Sequence, residues 1–311
     1  MPAPSCDQRR DHRCRAPGLG CALAVFSALL SGCVSQRELC TDARYDKGYT
    51  ILLTGVTGRF PWDDRIARGL VDGGLPTAIE IHDWTRGPLL LPVNMVDVWK
   101  KRRETQEIAA KIVDYQKRYP GRPVHLVGLS GGGAMVVKTL EALPPDVRVD
   151  SAVLLAPAVS TVYDLRQAQA HTERGIHNFY SPLDLFVGGA LVLTCGTIDG
   201  SHLTSAAVAK FKPPEALTDA EEAQYAKALT QHPYSPTMLA DGHPGGHFGW
   251  TSPPFVRDEL APILMIEHTP PPAVASQFAG AVSPTGMSPL PEPTNRVIPA
   301  VAELPLPTMT R

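Results

Sequence analysis

The sequence lacks several motifs that would assign a function directly. It has no GxxxxGK[ST] phosphate loop, no HExxH pair and no CxxC pair, so nucleotide-binding, zinc-peptidase and thioredoxin-like functions are not favoured. Charged residues make up only 19% of the 311 residues, and the formal net charge of −2 gives no basic surface that would indicate nucleic acid as a partner. Hydrophobic residues make up 43%, which is sufficient for a globular core. The length suits one large α/β domain or two small ones.

The first 33 residues have the pattern of an export signal. Four arginines precede an apolar run at residues 19–30, which is too short to span a bilayer comfortably but fits a signal-peptide core. The run ends in Leu-Ser-Gly-Cys at residues 30–33, and this resembles the lipobox of bacterial lipoproteins. That resemblance implies a signal peptide over residues 1–32, a lipid anchor on Cys33 and a location in the cell envelope. The other interpretation is a buried hydrophobic helix that ends in Gly-Cys.

The rest of the chain divides into three predicted parts. Residues 33–45 are polar and predict a tether, residues 46–268 carry the pattern of a folded domain, and residues 269–311 predict a disordered tail. Ten of the 43 residues in that tail are proline. After removal of the signal peptide the domain would keep Cys40 and Cys195, and an oxidising compartment permits a disulfide between them. Two separate buried thiols are the alternative.

Strand-like and helix-like segments alternate along the domain. Apolar, β-rich runs occur at 49–54, 77–81, 124–127, 149–155 and 175–180, and helical patterns at 63–71, 100–118, 131–143, 219–230 and 253–264. This alternation predicts an α/β fold in which a mostly parallel sheet is covered by helices on both faces. The near-continuous apolar strands ILLT and VLLA support it, since strands buried on both faces lack polar alternation.

The most informative motif is Gly128-Leu129-Ser130-Gly131-Gly132, a G-x-S-x-G sequence. It follows the predicted strand VHLV and precedes a helix rich in small residues, which is the strand–turn–helix context that the motif requires. A serine in such a turn is raised at the carboxyl edge of the sheet, over a helix N-terminus that favours developing negative charge. The sequence therefore predicts Ser130 as a catalytic nucleophile. The alternative is a glycine-rich turn with an incidental serine, such as a phosphate cradle.

VHLVGLSGGG resembles the nucleophile elbow of the α/β-hydrolase superfamily, and the similarity extends over residues 48–266. The early strand ending in Thr54-Gly55-Val56 resembles the oxyanion-hole turn of that superfamily, although many members have His-Gly where this chain has Thr54-Gly55. The resemblance implies an α/β-hydrolase fold in which the backbone N–H groups of Val56 and Gly131 bind the oxyanion. Backbone donors do not depend on the side chain, so the departure leaves this expectation intact.

A nucleophilic serine needs a histidine base that is held in one tautomer by an acid. The superfamily order of serine, acid and histidine favours Asp184, which follows a strand-like run in a turn, with Asp199 as the rival acid. The base is predicted as His247 in the glycine-rich loop GGHFGW, with His243 of the same loop as its main rival. Either aspartate has an ordinary alternative role as a turn cap.

The sequence therefore predicts a serine hydrolase without a cofactor. It would cleave an ester, thioester or similar acyl bond of a small-molecule or lipid-like substrate through an acyl-serine intermediate. Two other hypotheses remain open: an acyltransferase with the same triad, and a non-catalytic envelope lipoprotein that keeps the fold. Aromatic residues predicted near the catalytic edge are Trp62, Trp84, Phe179, Tyr180, Phe248 and Trp250, and each is either a pocket or a core residue.

Overall fold

The computed structural model describes residues 35–185, 187, 188, 192, 196–202 and 204–266. All of them lie within one compact unit, Met1–Thr269. The predicted signal peptide, the lipidation site Cys33, Cys195 and the proline-rich tail lie outside the described residues.

Six strands form one sheet in which every neighbouring pair is parallel. The strands are β1 (Tyr49–Leu53), β2 (Ala78–His82), β3 (Val124–Leu129), β4 (Ser151–Leu155), β5 (Ile176–Tyr180) and β6 (Leu229–Pro233). Their order across the sheet is β2-β1-β3-β4-β5-β6. The predicted parallel α/β architecture is confirmed.

Helices cover both faces of the sheet. The α-helices are α1 (Gln36–Leu39), α2 (Asp42–Tyr45), α3 (Pro61–Asp72), α4 (Leu91–Val96), α5 (Val98–Arg118), α6 (Gly131–Glu141), α7 (Arg166–Ala170) and α8 (Asp219–Lys227). Short 3₁₀ helices occur at Pro88–Leu90, Pro236–Leu239 and His247–Thr251. A C-terminal helical run joins Pro253–Phe255, a π-helical turn at Val256–Leu260 and Ala261–Met265. Within the described part of the chain, no helix combines the length and apolar character that crossing a bilayer requires.

The sheet separates two hydrophobic cores. In β1, Ile51 and Leu53 belong to the core under α5 and α6, whereas Leu52 belongs to the core under α3 and the C-terminal run. All three are fully buried, because successive side chains of a strand point to opposite faces and both faces are covered. The unbroken apolar pattern of this strand is thereby explained.

The prediction of a tether at 33–45 is corrected by the structure, because the described residues of this segment pack on the domain. Leu39 of α1 is buried in the second core. The Gln36 side chain donates to the carbonyl oxygen of Ile79 at 3.0 Å and accepts from the amide of Ile81 at 3.2 Å. Since β2 lies at the edge of the sheet, α1 satisfies backbone groups that no further strand pairs with.

Cys40 is a free thiol in the structure. Its Sγ–H donates to the carbonyl oxygen of Ile79 at 3.2 Å. The thiol is therefore part of the contact between the N-terminal helices and β2.

The strand order places a crevice at the centre of the sheet. β3 lies beside β1 although β2 precedes it in the chain, so the winding direction reverses between β1 and β3. Open α/β sheets bind ligands outside the carboxyl ends of the strands at such a reversal. The residues that follow β1 and β3 are Thr54-Gly55-Val56 and Ser130, which is where the sequence predicts catalytic groups.

Candidate active site

Ser130 lies in a strained turn between β3 and α6. Its backbone has φ 56° and ψ −117°, a region that non-glycine residues rarely occupy. The turn is held by its own backbone: the Ser130 amide donates to Leu155 at 2.8 Å, and the Ser130 carbonyl accepts from Gly133 and Ala158 at 3.0 Å each. The serine side chain is thus fixed at the N-terminus of α6, next to the crevice.

Glycines around Ser130 are required by close backbone contacts. A Cβ atom on Gly128 would lie 2.3 Å from the carbonyl oxygen of Gly132, and one on Gly132 would lie 2.1 Å from that of Leu53. Real Cβ atoms do not approach oxygen this closely, so only glycine permits α6 to start directly against β1 and β3. The G-x-S-x-G motif therefore has a steric cause in this fold.

Val56 and Gly131 face each other across the crevice. The Val56 amide nitrogen lies 3.4 Å from where a Cβ on Gly131 would be. Gly55 lies on the same side, where a Cβ on it would be 3.9 Å from the Ser130 Cβ. Within the described residues, neither the Val56 nor the Gly131 amide has an intramolecular acceptor. Two adjacent unpaired N–H groups beside the serine are suited to bind an oxyanion.

Asn94 of α4 holds the Val56 turn in place, and sequence reasoning did not identify it. Its Nδ2 donates to the carbonyl oxygens of Val56 at 2.9 Å and Gly87 at 3.0 Å, and its Oδ1 accepts from the Arg86 amide at 2.9 Å. The side chain is 3% exposed. An asparagine inside the apolar run LLLPVNMV was the available signal, since a buried amide must be hydrogen-bonded.

His247 and Asp184 form a buried pair. The His247 Nδ1 lies 2.5 Å from the Asp184 Oδ2, and the two residues are 6% and 2% exposed. The other carboxylate oxygen, Oδ1, accepts from the Gly188 amide at 2.8 Å. Asp184 follows β5 and His247 follows β6, so both lie at the same carboxyl edge of the parallel sheet as Ser130.

Ser181 connects the loop of the acid to the loop of the histidine. Its Oγ donates to the carbonyl oxygen of Gly245 at 2.5 Å, two residues before His247. Its carbonyl oxygen accepts from the Asp184 amide at 3.0 Å, and the residue is fully buried. Ser181 could not be identified from the sequence, because its partner is 64 residues away and the two meet only in the fold.

The rival acid, Asp199, is placed elsewhere. Its Oδ1 accepts from the Ser160 amide at 3.1 Å. Asp199 lines a cavity of about 770 Å³ between α5 and α6, together with Lys101 and Lys138. Neither Ser130 nor His247 lines this cavity, so Asp199 has the ordinary role of a loop cap.

The rival base, His243, is a packing residue. It is fully buried, and its ring meets Trp250 edge-on at a centroid distance of 4.0 Å. Its Nδ1 accepts from the Gly245 amide at 3.0 Å, which fixes the neutral form with the proton on Nε2. Burial lowers the pKa of His243 to about 4. The residue shapes the loop that carries His247.

Aromatic side chains form a partly exposed wall beside His247. Phe60 stacks on Trp62 at 4.4 Å between ring centroids, Trp62 contacts Phe248 at 4.8 Å, and Phe248 contacts His247 at 5.3 Å. The Phe248 side chain is 46% exposed. Of the other predicted pocket residues, the buried core members are Trp84, Phe179 and Trp250.

Comparison with known proteins gives structural likeness only. No protein-family model and no curated protein matches the sequence. A dienelactone hydrolase-like promiscuous phosphotriesterase from metagenomic libraries is 13% identical, with a TM-score of 0.43 over 70% of this chain and 85% of its own. Lipase B of Aspergillus fumigatus is 16% identical, with a TM-score of 0.44 over 87% of this chain and 64% of its own. A predicted CIB-like hydrolase of Thermoplasma acidophilum is also 16% identical, with a TM-score of 0.37 over 70% of this chain and 85% of its own.

The site is therefore defined by the structure itself. A parallel α/β sheet carries a serine on the strained turn after β3. A buried histidine–aspartate pair lies at the same edge of the sheet.

Proposed function

We propose that the protein is a serine hydrolase that cleaves an ester, thioester or similar acyl bond through an acyl-Ser130 intermediate. The observation that carries the proposal is the buried pair His247–Asp184, at 2.5 Å, on the sheet edge where Ser130 lies in a strained turn. A serine hydroxyl is a weak nucleophile without such a base. Asx-turn capping alone accounts for neither the burial of the carboxylate nor its contact with the imidazole.

In the proposed first half-reaction, the Ser130 Oγ attacks the carbonyl carbon and His247 Nε2 takes the serine proton. The carbonyl oxygen becomes an oxyanion that accepts from the Val56 and Gly131 amides. The tetrahedral intermediate then collapses, the bond to the leaving group breaks, and His247 gives its proton to that group. Water repeats these steps on the acyl-serine and releases the acid, with Ser130 restored.

Asp184 is proposed to act through His247. Its Oδ2 accepts from Nδ1–H, which leaves Nε2 free to take a proton, and its negative charge stabilises the imidazolium. The Gly188 amide on Oδ1 prevents the carboxylate from rotating away. The pair is therefore preorganised for one direction of proton transfer.

The aromatic wall supports an apolar acyl or leaving group as substrate. Phe248 contacts the proposed base and Trp62 contacts Phe248, and aromatic rings offer a large apolar area for contact. We propose a lipid-like or other apolar acyl substrate, and an envelope location through a lipid on Cys33.

Acyl esters of graded chain length test the proposal, with hydrolysis followed in wild type, Ser130→Ala, His247→Ala and His243→Ala. We expect the first two variants to lose on the order of a million-fold in kcat, because nucleophile and base act as a unit. His243→Ala should keep activity at a temperature where its melting curve shows a folded protein. Hydrolysis that survives Ser130→Ala would refute the proposal, and acyl transfer to an added alcohol in preference to water would establish the acyltransferase alternative.

A further inference from the structure

Exposed apolar side chains are concentrated in one segment, residues 88–99, which we call the strap. The structure shows thirteen large hydrophobic side chains exposed in its described part, and six of them are in the strap. They are Leu89, Leu90, Val93, Val96, Val98 and Trp99. Leu89 is 95% exposed and Trp99 81%. Single exposed hydrophobics are ordinary, but a contiguous set of this kind marks an interaction surface.

The strap presents these side chains from a fixed backbone. Asn94 attaches it to the Val56 turn, and the Lys101 ammonium donates to the Met95 carbonyl at 2.7 Å. Asp97 caps α5 by accepting from the Lys100 amide at 2.9 Å and pairs with Arg86. Polar contacts thus hold the strap to the rest of the domain while six of its apolar side chains are exposed, so the exposure is built into the fold.

Basic side chains continue the strap along one face of α5. Arg102 and Arg103 are exposed and lie three and four positions after Trp99, which places all three on neighbouring positions of the helix surface. The intervening Lys100 and Lys101 are largely buried: Lys100 pairs with Glu104 at 2.7 Å and Lys101 binds main-chain carbonyls. Arg103 also lies 3.7 Å from Glu104, but its side chain stays 71% exposed. Glu107, the nearest exposed acid on that face, is one turn further from the strap.

We propose that the strap, with Arg102 and Arg103, docks on the surface of an anionic lipid bilayer. Tryptophan favours the level of the lipid headgroups, leucine and valine favour the acyl region below it, and arginine binds the phosphates. A purely apolar protein partner would not use the two arginines beside Trp99. This docking does not depend on the proposed activity. It differs from anchoring through a lipid on Cys33 because it fixes the orientation of the domain on the membrane. The contact of Asn94 with Val56 joins the strap to the turn after β1, so docking would fix the position of that turn relative to the membrane surface.

The test uses the full chain with Cys33→Ser, so that no lipid is attached, and vesicles of phosphatidylcholine with or without phosphatidylglycerol. Bromine on the acyl chains quenches nearby tryptophan. We expect quenching with the anionic vesicles, and its loss in Trp99→Phe, because Trp84 and Trp250 are buried and Trp62 is half-buried behind Phe248. The predicted signal peptide is the same in every variant, so differences in quenching between variants arise from the strap.

Affinity gives the second readout. Each surface arginine contributes about fivefold to binding of anionic lipid, so Arg102→Gln with Arg103→Gln should weaken binding on the order of thirtyfold. Leu89→Ser should also weaken it, whereas Leu239→Ser should not, although Leu239 is 62% exposed on the 3₁₀ turn after β6. Equal binding by Leu89→Ser and wild type, or quenching that persists in Trp99→Phe, would overturn the proposal. A wild-type dimer that Leu89→Ser dissociates would instead assign the strap to a second copy of the chain.

Discussion

His243 predicts a specific loss of stability in acid. Its imidazole is buried against Trp250 and its Nδ1 accepts from the Gly245 amide, so protonation would destroy that hydrogen bond and leave a buried cation. Burial lowers the pKa of His243 to about 4 from its ordinary 6.5. Because the unfolded chain then binds more protons, the contribution of His243 to stability is complete above pH 6.5 and is lost as the pH falls toward 4.

The magnitude follows from the two pKa values. At pH 5, linkage from 6.5 to about 4 gives a loss of about 2 kcal/mol relative to pH 7. His177, whose pKa burial also lowers to about 4, adds to the same slope. Asp63 acts in the opposite direction, because burial raises its pKa to about 7 and the folded state then binds the extra proton. The pH dependence of the wild-type free energy of unfolding therefore combines contributions from several groups, and a variant is needed to isolate the contribution of His243.

His243→Asn is that variant, since an asparagine Oδ1 can accept from Gly245 in place of Nδ1 but does not titrate. Urea unfolding at pH 7 and pH 5 should show a free energy of unfolding that falls by about 2 kcal/mol less in the variant than in the wild type. The cavity left by the smaller side chain lowers stability at both pH values and cancels in this difference. An identical fall in both proteins would refute the assignment of a buried neutral His243.

Three further changes test the remaining contacts. Ser181→Ala should lower kcat ten- to a hundredfold with an unchanged fold, because it frees the His247 loop from the Asp184 loop and small misplacements of a catalytic side chain are costly. The control is Thr172→Val, which removes a buried hydroxyl bonded to Gln169 at the opposite edge of the sheet. Equal kcat values for both variants would refute a positioning role of Ser181. Asn94→Ala should lower kcat about tenfold with little change in KM, since it releases the Val56 carbonyl and thereby disturbs the Val56 amide as an oxyanion donor. A change in KM alone would place Asn94 in substrate binding instead. Cys33→Ser should give unprocessed protein, or protein that a high-salt wash releases from membranes while the wild type stays bound; the wash is needed because the strap alone is proposed to bind anionic lipid. Equal retention of the two after export and washing would contradict the lipoprotein hypothesis.

Local features of the fold could be predicted from the sequence. The elbow was predictable because the glycines that permit it are within two residues of Ser130, and their steric reason operates over the same short distance. The buried strands were predictable because coverage on both faces makes β1 and β4 continuously apolar. The sequence also indicated α5 and α6, where boundaries agree within two residues.

Features that depend on distant partners were missed. The predicted helix at 219–230 in fact ends at Lys227, and β6 follows with the polar sequence LTQHP, which β5 stabilises by pairing. The tether prediction was wrong because short helices gain their stability from contact with β2. Asp184 and Asp199 both follow apolar runs in turns, so only the fold brings one of them to His247.

The most direct measurement for the central claim is the site of modification by a fluorophosphonate, which reacts with a serine only when a base activates it. Intact-mass analysis and peptide mapping of the full chain should show one adduct, on the peptide that contains Ser130. Ser130→Ala should show none, and His247→Ala should label far more slowly at equal folded fraction. An adduct on another serine, or an unlabelled wild type that is folded, would contradict the account.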